Sequence, residues 1–423
     1  MRFLSSQVIL TMRNKWTLLA FVAAIHVTYV VARSLLGVLA VPIQAETGLD
    51  NVAFGVLTAA IFWTHSAVVP FAGFAGDRLN RVRLIAVAAM AWSAMTVLAG
   101  FATGFWSLLL LASVAVIVPQ TVFGPTACAL LSDHHRETRT VALSCHQAAY
   151  YAGWFASGAS VAAILALFGS WRAPFVVVGA VGFALGLVFL CLFGRLRASG
   201  AAARATAAKP TFARSLAAFF GCRSARLLAV GYIADIFVIF GYSSWGPKFV
   251  AEKFGLSAAA AGTGVMFWHY AASFAAVLVS GVVTDRLVKR YPRFRLALGL
   301  GAMLAAIPAL VGFGFAPTVT LTWVSAAVLG LALGAFGSNM VSAVYDVVPA
   351  QYRAGAVGFL NVLAAFVASF APIALGALSA RLGTLGFELG FALMGAVTFA
   401  AALAYGAAAA FTFNADRKSA DQV

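Results

Sequence analysis

GFAGDRL (residues 73–79) closes one long apolar run, and 208 positions later GVVTDRL (281–287) closes another. A second match lies at nearly the same offset: FGPTACALLSD (123–133) returns as FGSNMVSAVYD (336–346), 213 positions on. Arg139 and Arg353 follow the final aspartates of that pair after six and seven residues. Two unrelated coincidences at nearly one spacing are improbable, so the chain is read as an internal duplication.

What is duplicated follows from composition. The 423 residues are 63% hydrophobic and 9% charged, with a mean hydropathy of +0.97. A soluble domain carries nearer a quarter charged residues, and no single aqueous core hides this much apolar surface. The solvent is therefore lipid. Hydropathy predicts twelve spans, at roughly 16–43, 53–75, 84–101, 106–131, 140–168, 173–194, 227–249, 258–283, 296–315, 321–344, 355–379 and 385–412, each near the ~20 residues a helix needs to cross hydrocarbon. A transmembrane barrel would show short alternating strands instead. The first run is too long for a signal peptide, contains Arg33 and leads directly into the next span, so it is read as a retained helix.

Charge sets the expected orientation. Of 28 Lys and Arg, 23 fall in the N-terminus, the even-numbered loops and the C-terminal tail, against seven acids. The odd-numbered loops hold four bases (Arg172, Lys248, Lys253 and Arg381) and four acids. The +16 on one face and zero on the other predict cytoplasmic termini in a bacterial inner membrane. The pI of about 10.3 thus reflects topology and anionic lipid headgroups, with no nucleic-acid partner implied. Cys128, Cys145, Cys191 and Cys222 have no paired spacing, so neither a disulfide nor a metal site is expected.

The basic, acid-free stretch 193–226 divides the spans six and six. The expected organisation is an N-terminal bundle (1–193), a cytoplasmic linker (194–226) and a C-terminal bundle (227–423). A duplicated set of spans with a midpoint linker is the sequence mark of a secondary transporter.

GFAGDRLNRVRL (73–84) resembles the loop signature between the second and third helices of the major facilitator superfamily, and GVVTDRLVKRYPRFRL (281–296) its weaker second copy. The resemblance spans essentially the whole chain. It implies an all-α membrane protein, with twelve helices in two six-helix bundles related by a pseudo-two-fold axis, a central cavity and alternating access. It also implies a gating set: Asp77, Arg78, Arg81 and Arg83 with Asp133 and Arg139, and in the second half Asp285, Arg286, Asp346 and Arg353. A helix N-terminus attracts a carboxylate, in keeping with the signature acid meeting the start of the eleventh helix in that family.

Away from the ends of the spans, Arg33 is the one basic residue and Asp235 the one acid. Aligning the halves through ETGL (46–49) and EKFGL (252–256) pairs Arg33 with Phe240. Asp235 then lies five residues, roughly 7.5 Å of rise, nearer the cytoplasm. Arg33, with Tyr29 one turn before it, suits recognition of an anion, because guanidinium stays charged and grips carboxylate or phosphate in a bidentate way. It is similar to the first-helix arginine of organic-anion symporters in the superfamily. The alternative is a structural pair with Asp235. For Asp235 the readings are a proton carrier at the cavity or a fixed counter-ion to Arg33. His26, His65, His146 and His269 also lie in spans, and His146 and His269 are expected to share in proton transfer. His146, Gln147, Tyr150 and Trp154 on the fifth helix, Gln120 on the fourth, Tyr242 and His269 in the second half, and Asn339 on the tenth complete the expected substrate set. Trp63 and Trp268 are further aromatics expected near the cavity.

No phosphate-binding glycine loop, metal cluster or nucleophile–base pair appears, so neither a nucleotide-driven pump nor an enzyme is expected, and no cofactor. The leading expectation is a monomeric, proton-coupled carrier of a small organic anion. An exporter of lysolipid or drug-like amphiphiles is the alternative, from a likeness to spinster-type transporters in GDRLNR and the FGP…SD…R layout. Ser113 and Gln120 stand where that group has an arginine and a glutamate. A non-transporting sensor is a third reading, since fold does not fix function.

Overall fold

The computed structural model describes residues 2–135, 137–194, 212–288, 290–291 and 293–421. Lipid offers no partner to an exposed amide, so each crossing segment must satisfy its own backbone. Among the described residues, twelve helices are long and apolar enough to cross a membrane: α1 Lys15–Val38, α2 Asn51–Val69, α3 Arg81–Ala99, α4 Phe105–His134, α5 Val141–Phe168, α6 Arg172–Phe193, α7 Arg223–Phe254, α8 Ala258–Leu287, α9 Phe294–Phe315, α10 Val319–Tyr345, α11 Gly355–Leu382 and α12 Thr384–Arg417. An even number of crossings puts both chain ends at one end of the bundle, here the terminal end; the other is the far end.

The packing repeats as the sequence does. In the first half α1 packs on α5, α2 on α4 and α3 on α6; in the second, α7 packs on α11, α8 on α10 and α9 on α12. The halves meet along α5 with α8, α2 with α11 and α1 with α7. Lipid tails are as apolar as leucine, so such contacts depend on close approach rather than on burial from water. Gly158 of α5 shows this, since a Cβ there would collide with the Gly262 backbone of α8.

Three boundaries differ from expectation. The first span ends at Val38; Leu39 interrupts it, and a short helix, Ala40–Thr47, follows and stops at Gly48 in the left-handed region (φ 68°). α7 closes the same way at Gly255 (φ 65°), which matches the pairing of ETGL with EKFGL. α7 also runs to Phe254, so Lys248, counted above among loop charges, is a helical residue. Part of the expected linker, 195–211, lies outside the described residues. The rest is ordered: Phe212–Gly221 is an amphipathic helix whose buried Phe219 meets Phe359 of α11, ring centroids 5.6 Å apart.

At the far end, Glu46 is held by Arg172 and Trp171, both at 2.6 Å. These bonds, Arg172 first, keep its carboxyl below the usual carboxylate value.

Candidate functional site

A cavity of about 450 Å³ lies between the halves, lined by α1, α2, α4, α5, α7 and α11. Helical periodicity decides which residues reach it. On α1 the lining stripe is Tyr29, Arg33 and Gly37; on α2 it is Thr58, Ile61, Phe62, His65, Ser66 and Val69; on α7 it is Tyr232, Ile236, Ile239, Phe240 and Ser243. Each stripe repeats at three or four residues, the spacing of one helix face.

Arg33 is half-buried in this wall. Its Nη1 donates to the Tyr29 hydroxyl at 3.2 Å, and its guanidinium lies 5.5 Å from the centroid of Phe62. The Phe62 ring stacks on Phe240 across the interface, centroids 3.3 Å apart and planes 11° apart. His65 lines the cavity on the turn after Phe62. The Thr121 hydroxyl donates to the Ile117 carbonyl at 2.9 Å, so its contact with His65 Nδ1 at 3.0 Å makes Nδ1 the donor and leaves Nε2 for a ligand. Tyr150 and Trp154 of α5 line the same space.

Several expected site residues lie elsewhere. Asp235 is only 6% exposed and borders a separate small void with Gly231, Ala302, Met303, Leu333, Phe336 and Thr398. It makes no ion pair with Arg33, which removes the counter-ion reading. The physical reason is azimuth. Five residues on an α-helix turn the side chain by roughly 140°, so Phe240 faces the cavity and Asp235 faces the interior of the second half. Tyr242 is likewise turned inward, its hydroxyl donating to the Val265 carbonyl at 3.0 Å and its ring 4.6 Å from that of His269. Both are buried. Asn339 donates to its own helix at Ala335 (3.0 Å). Gln120 is buried behind α1, its Nε2 at 3.4 Å from the Tyr29 carbonyl. His146 stacks on His26 at 4.1 Å and is buried, whereas Gln147 is exposed; neither lines the cavity. The Trp63 ring rests near Phe370, and Trp268 is exposed.

Beyond the cavity, toward the far end, the halves are joined by a polar latch. Lys248 of α7 donates to Gln44 and, at 2.5 Å, to Asn51 Oδ1. Asn51 donates to Ser379 of α11 at 3.0 Å, and Gln44 donates to Asn51 Oδ1 and to the Leu49 carbonyl, both at 3.0 Å. Lys248 is only 8% exposed, and a hydrogen bond to such a charge contributes about 1.5–3 kcal/mol. One turn deeper, Gly37 sits so close to the Ser243 carbonyl that a Cβ would come within 2.5 Å of it. The cavity is thus closed at the far end. It extends the other way to Val69, Pro125 and Tyr232. Sequence reasoning missed the latch, because Gln44, Asn51 and Ser379 carry no pattern that sets them apart from other polar helix ends.

At the terminal end each half has an arginine–carboxylate pair among the described residues. Arg81 pairs with Asp133 and Arg295, absent from the expected gating set, pairs with Asp346. Arg83 reaches the Gly194 carbonyl at 3.3 Å, Arg139 the Ser132 hydroxyl at 3.1 Å and Arg353 the Val348 carbonyl at 3.0 Å. Asp285 and Arg286 are exposed. The side chains of Asp77 and Arg78 lie outside the described residues.

Comparison with known proteins agrees with this architecture. The chain is 25% identical over 312 residues to a D-galactonate transporter of Escherichia coli O6:H1, covering 66% of this chain and 69% of that one. It is 27% identical over 388 residues to an MFS-type efflux pump of Mycolicibacterium smegmatis, covering 87% and 85%. The crystal structure of a bacterial homologue of the human lysosomal transporter spinster, inward-facing and unoccupied, superposes with a TM-score of 0.81 at 20% identity, over 95% of this chain and 98% of that one. The family model for the Major Facilitator Superfamily matches residues 22–372 and 268–422, and with twelve helices in two repeated halves around one cavity, the chain belongs to that superfamily of membrane transporters and is not an enzyme.

Proposed function

We propose that this transporter carries a small organic anion together with protons, by alternating access, in a bacterial inner membrane with both termini cytoplasmic. The observation that carries the reading is Arg33. Among the described residues it is the one Lys or Arg lining the cavity, and it has a hydroxyl and an aromatic ring beside it but no carboxylate in ion-pair contact. A guanidinium at bilayer depth is costly, and an anionic substrate would offset that cost with charge-assisted hydrogen bonds. The relative named as a D-galactonate transporter supports an anion. The excess of basic residues on the terminal end supports the orientation, which makes the described conformation closed on the periplasmic side.

Asp235 remains the proton carrier in this reading, working from behind the cavity wall. Its Oδ1 has no hydrogen-bond partner among the described residues, and the void it borders is otherwise lined by apolar groups except for Thr398. Because α7 also carries the Phe240 face, a rotation of that helix during the transport cycle would move both together. The expected gating residues act at the terminal end, where separation of the halves alternates with opening of the Lys248 latch. The protein works as a monomer among lipids, without nucleic acid.

Purified protein in proteoliposomes tests this, challenged with a panel of carboxylates, phosphates and sulfonates while internal pH is followed. An anion should drive proton movement in the wild type, Arg33→Ala should no longer bind it, and Asp235→Asn should exchange it without proton flux. If no anion gives a signal, and both variants keep full activity on lysolipids or drug-like amphiphiles, the charges are structural and export of amphiphiles replaces this reading.

A further inference from the structure

The two walls of the cavity differ in chemistry. The first half presents Arg33 and Tyr29, then His65 held by Thr121, while the Thr58 hydroxyl beside them donates back to its own helix at Phe54 and Gly55. The second half faces them with Ile236, Ile239, Phe240, Val362 and Ala365. Its polar groups sit toward the two ends, Ser243 and Ser244 at one and Tyr232 and Asn361 at the other. The Ser243 hydroxyl donates to the Ile239 carbonyl at 2.6 Å, and the Tyr232 hydroxyl donates to Asn361 Oδ1 at 2.7 Å. Between those ends, the described residues of the second-half wall offer no side-chain donor or acceptor.

An anion gripped by Arg33 therefore has aromatic surface beside it: Phe62 under the guanidinium, Phe240 stacked on Phe62, and Tyr150 and Trp154 along α5. Resting on the anion reading above, we infer that the substrate is an amphipathic monoanion, with one compact carboxylate or sulfonate head and a flat or branched apolar body, and that Phe240 sets this preference. One cation in the lining suits one negative charge. A sugar acid has the same head but a body of hydroxyls, and each hydroxyl pressed on Ile236, Ile239 or Phe240 would lose its water partner without a replacement. This would separate the chain from its relative named as a D-galactonate transporter.

Calorimetric titration of full-length protein in nanodiscs with three probes tests the inference: phenylacetate, gluconate and the uncharged phenylacetamide. Phenylacetate should bind about tenfold or more tightly than gluconate, a difference near 1.4 kcal/mol, and phenylacetamide should be bound far more weakly. Phe240→Ser should narrow the phenylacetate-to-gluconate ratio to about threefold or less, while Phe240→Leu, which keeps apolar bulk and guards against a folding artefact, should retain most of it. Equal or tighter binding of gluconate to wild type overturns the substrate class, and so does a Phe240→Ser variant that weakens both acids alike. If those anions bind and Arg33→Gln abolishes both, the anion reading survives that failure. If neither acid binds, or phenylacetamide binds as well as phenylacetate, the anion reading falls and takes this inference with it.

Discussion

At matched positions of the two repeats, α1 places Arg33 and α7 places Phe240, and both side chains touch the ring of Phe62. The backbone around them is the same in both copies. Each helix closes at a left-handed glycine, Gly48 and Gly255, and each packs on the fifth helix of its own half. The duplication thus kept the frame and let the walls diverge, one toward charge and hydrogen bonding, the other toward apolar surface. The charge of the second half also persists, but as Asp235 on the far side of α7.

The largest effects are expected where the walls differ. Arg33→Gln should lower anion binding by about 100-fold or more, the loss of roughly 3 kcal/mol of charge-assisted hydrogen bonding. Phe240→Ala should cost about tenfold for an apolar anion, in line with the transfer of part of one aromatic face; uptake at subsaturating substrate compares the two. Equal losses would mean that the walls are not divided by chemistry.

Next is the latch. Lys248→Met removes the charge that joins Gln44 and Asn51 across the halves. In a chain with its native cysteines replaced by serine, Ser34→Cys should then label about tenfold faster from the far-end face with an impermeant thiol reagent, as a loss of 1.5–3 kcal/mol of closed-state preference implies. An unchanged rate would assign closure to helix packing alone.

The terminal-end pairs give a smaller, graded contrast. The side chains of Arg81 and Asp133 are 10% and 11% exposed, and those of Arg295 and Asp346 are 12% and 27%. Taking an arginine away from a buried carboxylate costs more than taking one from a carboxylate that is 27% exposed. Arg81→Gln should therefore destabilise the detergent-solubilised protein by about 3 kcal/mol and Arg295→Gln by about 1–2 kcal/mol. Denaturation by increasing detergent harshness ranks them, and the reverse order would break the argument from burial.

The smallest effect is a pH response confined to the first half. His135 is fully buried, bonded through Nε2 to the Lys15 carbonyl at 3.0 Å and through Nδ1 to Thr138 at 3.1 Å. Val348 takes the matching place in the second half and is equally buried. Burial is the main cause holding His135 below its ordinary value of 6.5. The unfolded chain therefore takes up the proton at higher pH, so this stabilisation is complete above about 6.5 and is lost as pH falls toward the folded value. Melting between pH 7.5 and 5.5 should drop more in the wild type than in His135→Gln; parallel curves would place the response elsewhere.

The twelve spans, the duplication and the superfamily were legible because lipid imposes one rule on every crossing segment, and the rule is written in hydropathy. Arg33 was legible for the same reason, as a charge where none is cheap. Depth along a helix follows from residue count, but the face a residue presents follows from its neighbours, and there the reading failed. Asp235 and Tyr242 were expected in the cavity at the right depth and turn out to face the interior of their own half. Tyr232, Ile236 and Phe240, spaced by four, carry the α7 stripe that would have shown it. The latch was hidden because Lys248 is 204 and 197 residues from Gln44 and Asn51, and each of the three is unremarkable by itself.

The most direct test of the account is the affinity of phenylacetate, followed by quenching of tryptophan fluorescence, since Trp154 lines the cavity, in wild type, Arg33→Gln and Arg33→Lys. The account predicts saturable quenching in the wild type, its loss in Arg33→Gln and partial recovery in Arg33→Lys, which restores the charge without the bidentate fork. Undiminished binding in Arg33→Gln would contradict it.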